Sequence, residues 1–507
     1  MNTNSAIEQP RVLATRRQWF ALVVLMLPTL LVSIDNTVLS FALPSIARDL
    51  LPSATAQLWI VDAYPLVLAG LLVAMGNLGD RFGRRRMLLI GASGFGVVSV
   101  IAAFVDQASW LIAARVLLGI FGAMIMPSTL SLLRSLFVDR RQRRLAIAIW
   151  ATGFSAGSAV GPLVGGVLLE HFWWGSVFLI AVPLLLPLLI LAPVLIRESR
   201  DPSPGPFDLP SILLSMLALA PSVYAIKEIA TEGFGILPAV LIAIGLASGA
   251  LFVRRLLAQD NPMLDMRLFR VPSFSGAVIV NLVSVFSLVG FLYFITQHLQ
   301  LVLELSPFDA AIALAPGTVV IVVAGLSVVP IVRRVRPGFV MAIGLSLSLL
   351  AYASIAIIGA DATLFSLILA FCVLGAGIGA AETLSNDLII SSVPADKAGA
   401  ASGVSETAYE LGAVLGTAVL GSVLTAAYRS SLVVPDGLAA ADATAARETL
   451  GGAVEVAQKL PAGLGSDLLE SARGAFDSGV VTTSWVAVAL MAIAITVTLV
   501  TLRKARG

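Results

Sequence analysis

Residues 76–88 read GNLGDRFGRRRML, one acid and four arginines gathered in a short turn between two apolar runs, 57–78 and 87–105. Each run has about the 20 residues needed to cross a ~30 Å hydrocarbon core. The turn is therefore a hairpin between two membrane helices. Its arginines assign it to the cytoplasmic side, where Lys and Arg accumulate in membrane proteins.

Working outward from this hairpin, apolar runs recur along the whole chain. Of 507 residues, 58% are hydrophobic and 12% charged, with a mean hydropathy of +0.98, against roughly 45–50% apolar residues in soluble proteins. This composition predicts an all-α polytopic membrane protein with helices at 19–43, 57–78, 87–105, 110–133, 145–169, 177–196, 209–227, 235–253, 273–297, 308–332, 339–359, 362–392, 398–428 and 479–502. With both termini in the cytoplasm, 25 of the 32 basic residues fall on cytoplasmic segments. That asymmetry supports an even number of spans. Arg48, Lys227, Arg429, Arg447, Lys459 and Arg473 fall on external segments or helix ends, and Arg115 inside helix 4.

The apolar run after Trp19 is too long for a signal-peptide core and lacks a small-residue cleavage site, so helix 1 is expected in the mature protein. The single cysteine, Cys372, permits no intramolecular disulfide, and His171 and His298 stand far apart. No cofactor, metal or nucleic-acid partner is expected. Residues 429–477 form an Ala- and Gly-rich external segment, read as two short amphipathic helices joined at Pro461 and Gly463, a packed hairpin or a lid. Residues 197–208, RESRDPSPGPFD, are a Pro-rich linker.

Three motifs carry mechanism. The turn holds Gly76, Leu78, Asp80, Arg81, Gly83, Arg84 and Arg85; helix 4 holds ARVLLGIFGA, residues 114–123; helix 5 holds GSAVGPLVGG, with Gly157, Gly161, Pro162, Gly165 and Gly166. Small residues four apart let helix backbones approach closely, and Pro162 removes a backbone donor. In these motifs, and in IDNTVLSFALP (34–44), LWIVDAYPLVLAG (58–70), NPMLDMRLF (261–269) and SETAYELG (405–412), the chain resembles the major facilitator superfamily and its fourteen-helix drug:proton antiporter branch. The resemblance covers nearly the whole chain. It implies a major facilitator fold of 14 transmembrane helices: a six-helix bundle in 1–196, the linker 197–208, two inserted helices in 209–258, and a second six-helix bundle in 273–507 including the loop 429–477. It further implies that the charged turn latches the two halves together on the inside, and that the substrates are quaternary ammonium compounds and cationic dyes.

A charge inside a membrane helix is costly and marks function or pairing. At 1.5 Å per helical residue, Asp35, Asp62 and Arg115 lie roughly 8–14 Å from the outer ends of helices 1, 2 and 4, in one layer. Asp62 is the expected partner of Arg115, which leaves Asp35 as the exchangeable carboxylate. On helix 13, Glu406 and Glu410 are four residues apart on one face, about 12 and 18 Å from the cytoplasmic end. Like charges on an apolar face disfavour double ionisation, so the pair is expected to take up a proton readily. Glu382 and Asp387 on helix 12 are weaker candidates. Tyr64, Trp150, Phe154, Tyr293 and Tyr409 are candidate ring partners for a bound cation. Helix 10 carries the wholly apolar APGTVVIVVAGL (315–326) where some members of the branch carry an acid, which favours monovalent cargo.

These readings predict a proton-coupled efflux antiporter for lipophilic cations, monomeric, in a bacterial cell membrane. Alternatives are an exporter of a metabolite, lipid or peptide, and a non-transporting receptor. An intramembrane enzyme is disfavoured, since no Ser-His pair or metal-ligand spacing is present.

Overall fold

The computed structural model describes residues 14–137, 139–200, 208–259, 262, 264–393 and 398–502. Among the described residues there is no strand. A lipid-embedded chain must satisfy its backbone polar groups internally, and helices do so. Thirteen helices are long and apolar enough to cross a membrane; with Arg140–His171 they make fourteen. In chain order these are helix 1 (Arg16–Leu50), helix 2 (Ala54–Phe82), helix 3 (Arg84–Ala103), helix 4 (Ala108–Leu136), helix 5 (Arg140–His171), helix 6 (Ser176–Leu195), helix 7 (Leu209–Glu232), helix 8 (Ile236–Ala258), helix 9 (Pro272–Val302), helix 10 (Pro307–Ile331), helix 11 (Pro337–Asp361) and helix 12 (Leu364–Ser391). Helix 13 is built from Ala398–Leu415, a π-turn Gly416–Gly421 and Ser422–Ser431, and helix 14 is Ala462–Leu502.

The packing repeats. In the first bundle helix 1 packs on 5 and 6, helix 2 on 4, and helix 3 on 4 and 6; in the second, helix 9 packs on 13 and 14, helix 10 on 12, and helix 11 on 12 and 14. Adding eight to each helix number turns the first set into the second. Contacts between the bundles obey the same rule, because helix 5 meets helix 10 and helix 13 meets helix 2. Two like bundles thus face each other across a pseudo-twofold axis, the arrangement of a parallel-repeat transporter. Helices 7 and 8 pack on one another, and helix 7 also touches helix 2 and helix 13.

Several boundaries differ from the sequence reading, each for a local reason. Helix 1 runs through Pro44 to Leu50 rather than stopping at residue 43. Helix 7 extends to Glu232, past residue 227, and ends at Gly233, whose φ of +83° suits a residue without Cβ. The external segment also differs. Its first part is split by Thr449, whose side chain accepts from Gly452 N–H, into Ala440–Glu448 and Leu450–Lys459. Its second part is not a separate amphipathic helix; it forms the start of the 41-residue helix 14. In the linker, residues 201–207 lie outside the described residues, as do 1–13.

Candidate functional site: a central cavity between the bundles

A cavity of about 460 Å³ lies between the bundles, walled by helices 1, 2, 4 and 5 on one side and by helices 9, 10, 12 and 13 on the other. It is mainly apolar, with Asp62, Arg115, Glu382 and Tyr409 among its polar and aromatic lining.

The N-terminal wall is organised by Arg115. Gly119 and Gly122 follow it on helix 4, and a Cβ at Gly119 would lie 2.8 Å from the carbonyl oxygen of Tyr64. Their small size brings helix 2 close enough for Arg115 to reach across. Its Nη1 lies 2.7 Å from Asp35 Oδ2, its Nε donates to the carbonyl of Ile60 at 3.1 Å, and its guanidinium carbon sits 4.6 Å from the ring centre of Tyr64. The expected Asp62–Arg115 pair is therefore not formed; Arg115 pairs with Asp35. Helical geometry gives the reason. Tyr64 turns its ring toward helix 4, and Asp62, two residues earlier, lies about 200° around the helix.

Asp62 faces helix 7 instead. Lys227 Nζ lies 2.8 Å from Asp62 Oδ2, with both side chains wholly buried. The same ammonium donates to the carbonyl of Leu58 at 3.1 Å and sits 3.9 Å from the ring centre of Trp59. The sequence places Lys227 at an external helix end, beside Glu228 and Glu232; helix 7 continues past it to Glu232, and the Lys227 side chain turns into the protein instead.

Of the acids of helices 12 and 13, Glu382 lines the opposite wall, and Glu406 and Glu410 lie outside the lining. Glu410 is 1% exposed, and its carboxylate has no cationic partner among the described residues. The Asn36 amide of helix 1 lies within hydrogen-bonding reach of it across the bundle interface. Glu406 and Glu382 are half-buried nearby, and Tyr409 stands within electrostatic reach of all three glutamates. None of the three makes an ion pair among the described residues. Asp387 is exposed.

Of the four candidate ring partners whose side chains are described, only Tyr409 lines the cavity. Tyr64 lies behind it, over Arg115; Trp150 packs against the core of the first bundle and Tyr293 within that of the second. The side chain of Phe154 lies outside the described residues. The sequence reading missed two lining rings, Phe41 and Phe371.

The helix 5 glycines have separate tasks. A Cβ at Gly157 would lie 2.9 Å from the carbonyl oxygen of Leu30, and those at Gly161 and Gly165 would press on Thr37 and Val38, all on helix 1. Gly166 instead meets the other bundle: its Cβ would lie 2.9 Å from Phe308 Cα and 3.1 Å from the carbonyl oxygen of Pro307. Pro162 lines the cavity between them.

At this end of the bundles the cavity is closed. Gln57 Nε2 donates to Gln297 at 3.0 Å, Gln300 Nε2 donates to the Phe41 carbonyl at 3.1 Å, and Glu448 accepts from the backbone N–H of Ala54 at 2.7 Å. These three bonds join the bundles at this end.

At the other end, the charged turn is tied within its own bundle. Asp80 and Arg84 pair at 2.8 Å. Glu198, beyond helix 6, accepts from the backbone N–H groups of Arg85 at 2.9 Å and Arg86 at 3.2 Å. A carboxylate thus caps the positive end of helix 3. Gly83 permits this approach, with φ +118° and no Cβ to meet the Glu198 carboxyl. Arg81 is exposed, and Gly76 packs on Pro127 of helix 4. The latch between halves implied by the resemblance is not among these contacts, which join the turn to helices 4 and 6 and to Glu198 and Ser199.

Two pseudo-symmetric six-helix bundles around a cavity lined by buried charges define a polytopic membrane transporter of the parallel-repeat class. The family model of the Major Facilitator Superfamily matches residues 25–417, and the chain belongs to that superfamily. It is 56% identical over 488 residues to the multidrug efflux pump LfrA of Mycolicibacterium smegmatis, covering 96% of this chain and 97% of the relative. It is 38% identical to the methyl viologen resistance protein SmvA of Salmonella typhimurium, covering 91% and 93%. Among solved structures, a bacterial homologue of the lysosomal transporter Spinster, in an inward-facing and unoccupied conformation, matches at a TM-score of 0.67 with 18% identity, covering 97% of this chain and 99% of that one. This last likeness concerns the fold.

Proposed function

We propose that the protein is a proton-coupled multidrug efflux antiporter that exports lipophilic organic cations. The observation that carries the reading is Glu410, buried at the bundle interface with no ion-pair partner among the described residues, beside Glu406 and Glu382 and facing the Asn36 amide of the other bundle. An unpaired carboxylate enclosed in low dielectric costs several kcal/mol if ionised. The bundles can therefore rock through a closed state only when a proton or a cation neutralises that charge. Mutually exclusive occupancy is what couples the two fluxes.

In this reading Glu406 and Glu410, with Glu382, exchange the proton for the cation, and the Tyr409 ring contributes to cation affinity. Asp35 and Asp62, held by Arg115 and Lys227 in this conformation, become acceptors when those pairs open. With the termini in the cytoplasm, the closed end faces outside and the site is loaded from within. Residues 1–196 and 273–507 act as the two moving halves, of a monomer in a bacterial cell membrane. The names of the relatives support drug efflux, and the SmvA name adds the dication methyl viologen to the cargo that needs testing.

Everted vesicles test this directly. Ethidium or a quaternary ammonium compound added under an inward-acid pH gradient should accumulate in the lumen and release lumenal protons. If Glu406→Gln and Asp35→Asn each leave cation-dependent proton release intact, the carboxylate mechanism is wrong.

A further inference from the structure

The inserted helix pair takes no part in the bundle repeat, yet it sends one wholly buried charge into the core. Lys227 is 0% exposed. It sits where three elements meet: helix 2 supplies Asp62, Leu58 and Trp59, and the π-turn of helix 13 supplies Thr417 beside Asp62. Val223 of helix 7, Leu66 of helix 2 and Val414 and Ala418 of helix 13 close the seam with apolar contacts. Asp62 forms the partition here, with the cavity on one side and the Lys227 ammonium on the other.

Counting charge around the cavity gives the ammonium a consequence. Asp35 is compensated by Arg115 and Asp62 by Lys227, and the glutamates of helices 12 and 13 are left to compensate a cargo. We propose that Lys227 is a specificity-determining residue: a tethered counter-ion that withholds the Asp62 charge from the cavity and biases the transporter toward monovalent over divalent cations. The proposal rests on the cation-export reading above.

The magnitude follows from Coulomb's law. A unit charge roughly 10 Å from a bound cargo, at an effective dielectric near 20, changes the affinity of a monocation about tenfold and of a dication about a hundredfold. Their ratio therefore changes about tenfold. Lys227 acts through Asp62, so removing the lysine should matter only while Asp62 is ionisable.

The test measures binding of tetraphenylphosphonium and methyl viologen to the purified full-length protein, and their transport in proteoliposomes. At alkaline pH, where Asp62 gives up its proton even without its partner, Lys227→Met should move the methyl viologen to tetraphenylphosphonium ratio about tenfold toward the dication, and by less as pH falls. Asp62→Asn, which leaves the lysine uncompensated, should weaken both cargoes, the dication more, and Lys227→Met in that background should restore both. Should Lys227→Met fail to fold, Lys227→Gln removes the charge while keeping a donor toward Asp62, and the same ratio is read. A ratio unchanged at every pH in the lysine variants, or a double variant no better than Asp62→Asn, overturns the proposal. A wild-type protein that binds and moves neither cation overturns the export reading beneath it.

Discussion

Replacing Gly166 by alanine should open the outer end of the transporter. The added Cβ would lie 2.9 Å from Phe308 Cα, 3.1 Å from the Pro307 carbonyl oxygen and 3.2 Å from Ala311 Cβ. Two of these are backbone atoms, so no side-chain rotation relieves the clash and the bundles must separate. Overpacking of this kind costs about 1–3 kcal/mol. Only the outer-closed state bears that cost, because the contact joins helix 5 to helix 10, and 1–3 kcal/mol shifts a two-state equilibrium roughly 5- to 150-fold. Ser40, buried in the cavity wall, supplies the reporter: as Ser40→Cys in a Cys372→Ser background, it can be labelled from outside with a membrane-impermeant maleimide. Gly166→Ala should accelerate labelling by that factor. Gly157→Ala clashes as closely, but with helix 1 of its own bundle, and should not. Equal labelling in the two variants would refute the assignment of Gly166 to the gate.

Other outcomes follow from the charges and rings. Arg115→Gln leaves Asp35 uncompensated and should cost about 3–5 kcal/mol, read as a lowered melting temperature in detergent; adding Asp35→Asn should recover part of it. Glu448→Gln weakens a charge-assisted bond across the bundles and should raise Ser40→Cys labelling by roughly ten- to a hundredfold, the effect of losing about 1.5–3 kcal/mol. Tyr409→Ala should reduce cation affinity by roughly 2- to 30-fold, with a smaller change for Tyr409→Phe, in a binding titration. Asp208, the N-cap of helix 7, concerns pH. Burial opposes its ionisation, but bonds from Arg255, Ser211 and Gln259 outweigh that and hold its carboxyl well below the usual carboxylate range. A depressed value contributes stability that is present above the unfolded value of about 4 and lost as pH falls through the folded one. Asp208→Asn should therefore lower the melting temperature at pH 7, and the difference from the parent should persist to pH 5 and shrink only below about 4.

The fold was legible because spans, charge alternation and the glycine motif each constrain it by sequence-local physics. The turn 76–88 and the helix 5 glycines could be recognised before their contacts were known. Pairing was less legible. Depth along a helix places Asp35, Asp62 and Arg115 in one layer, but depth says nothing of which way each side chain turns, so Asp62 was matched to the wrong cation. Lys227 was missed because a lysine near a presumed helix end looks like an interfacial charge until the helix is followed to Gly233. The aromatic wall shows the same limit: Tyr64 and Tyr293 are candidate cavity rings by sequence, yet bundle packing places them in the cores and turns Phe41 and Phe371 to the cavity. The closure through Gln57, Gln297, Gln300 and Glu448 joins residues up to 394 positions apart, beyond the reach of any local pattern.

Coupling through the glutamates of helices 12 and 13 is tested most directly by proton release on cargo binding. Tetraphenylphosphonium added to the purified protein in weak buffer, with a pH indicator, should release protons, and the release should disappear in a Glu382→Gln, Glu406→Gln, Glu410→Gln triple variant that still folds. Undiminished release from that variant would contradict exchange of proton for cation at these carboxylates.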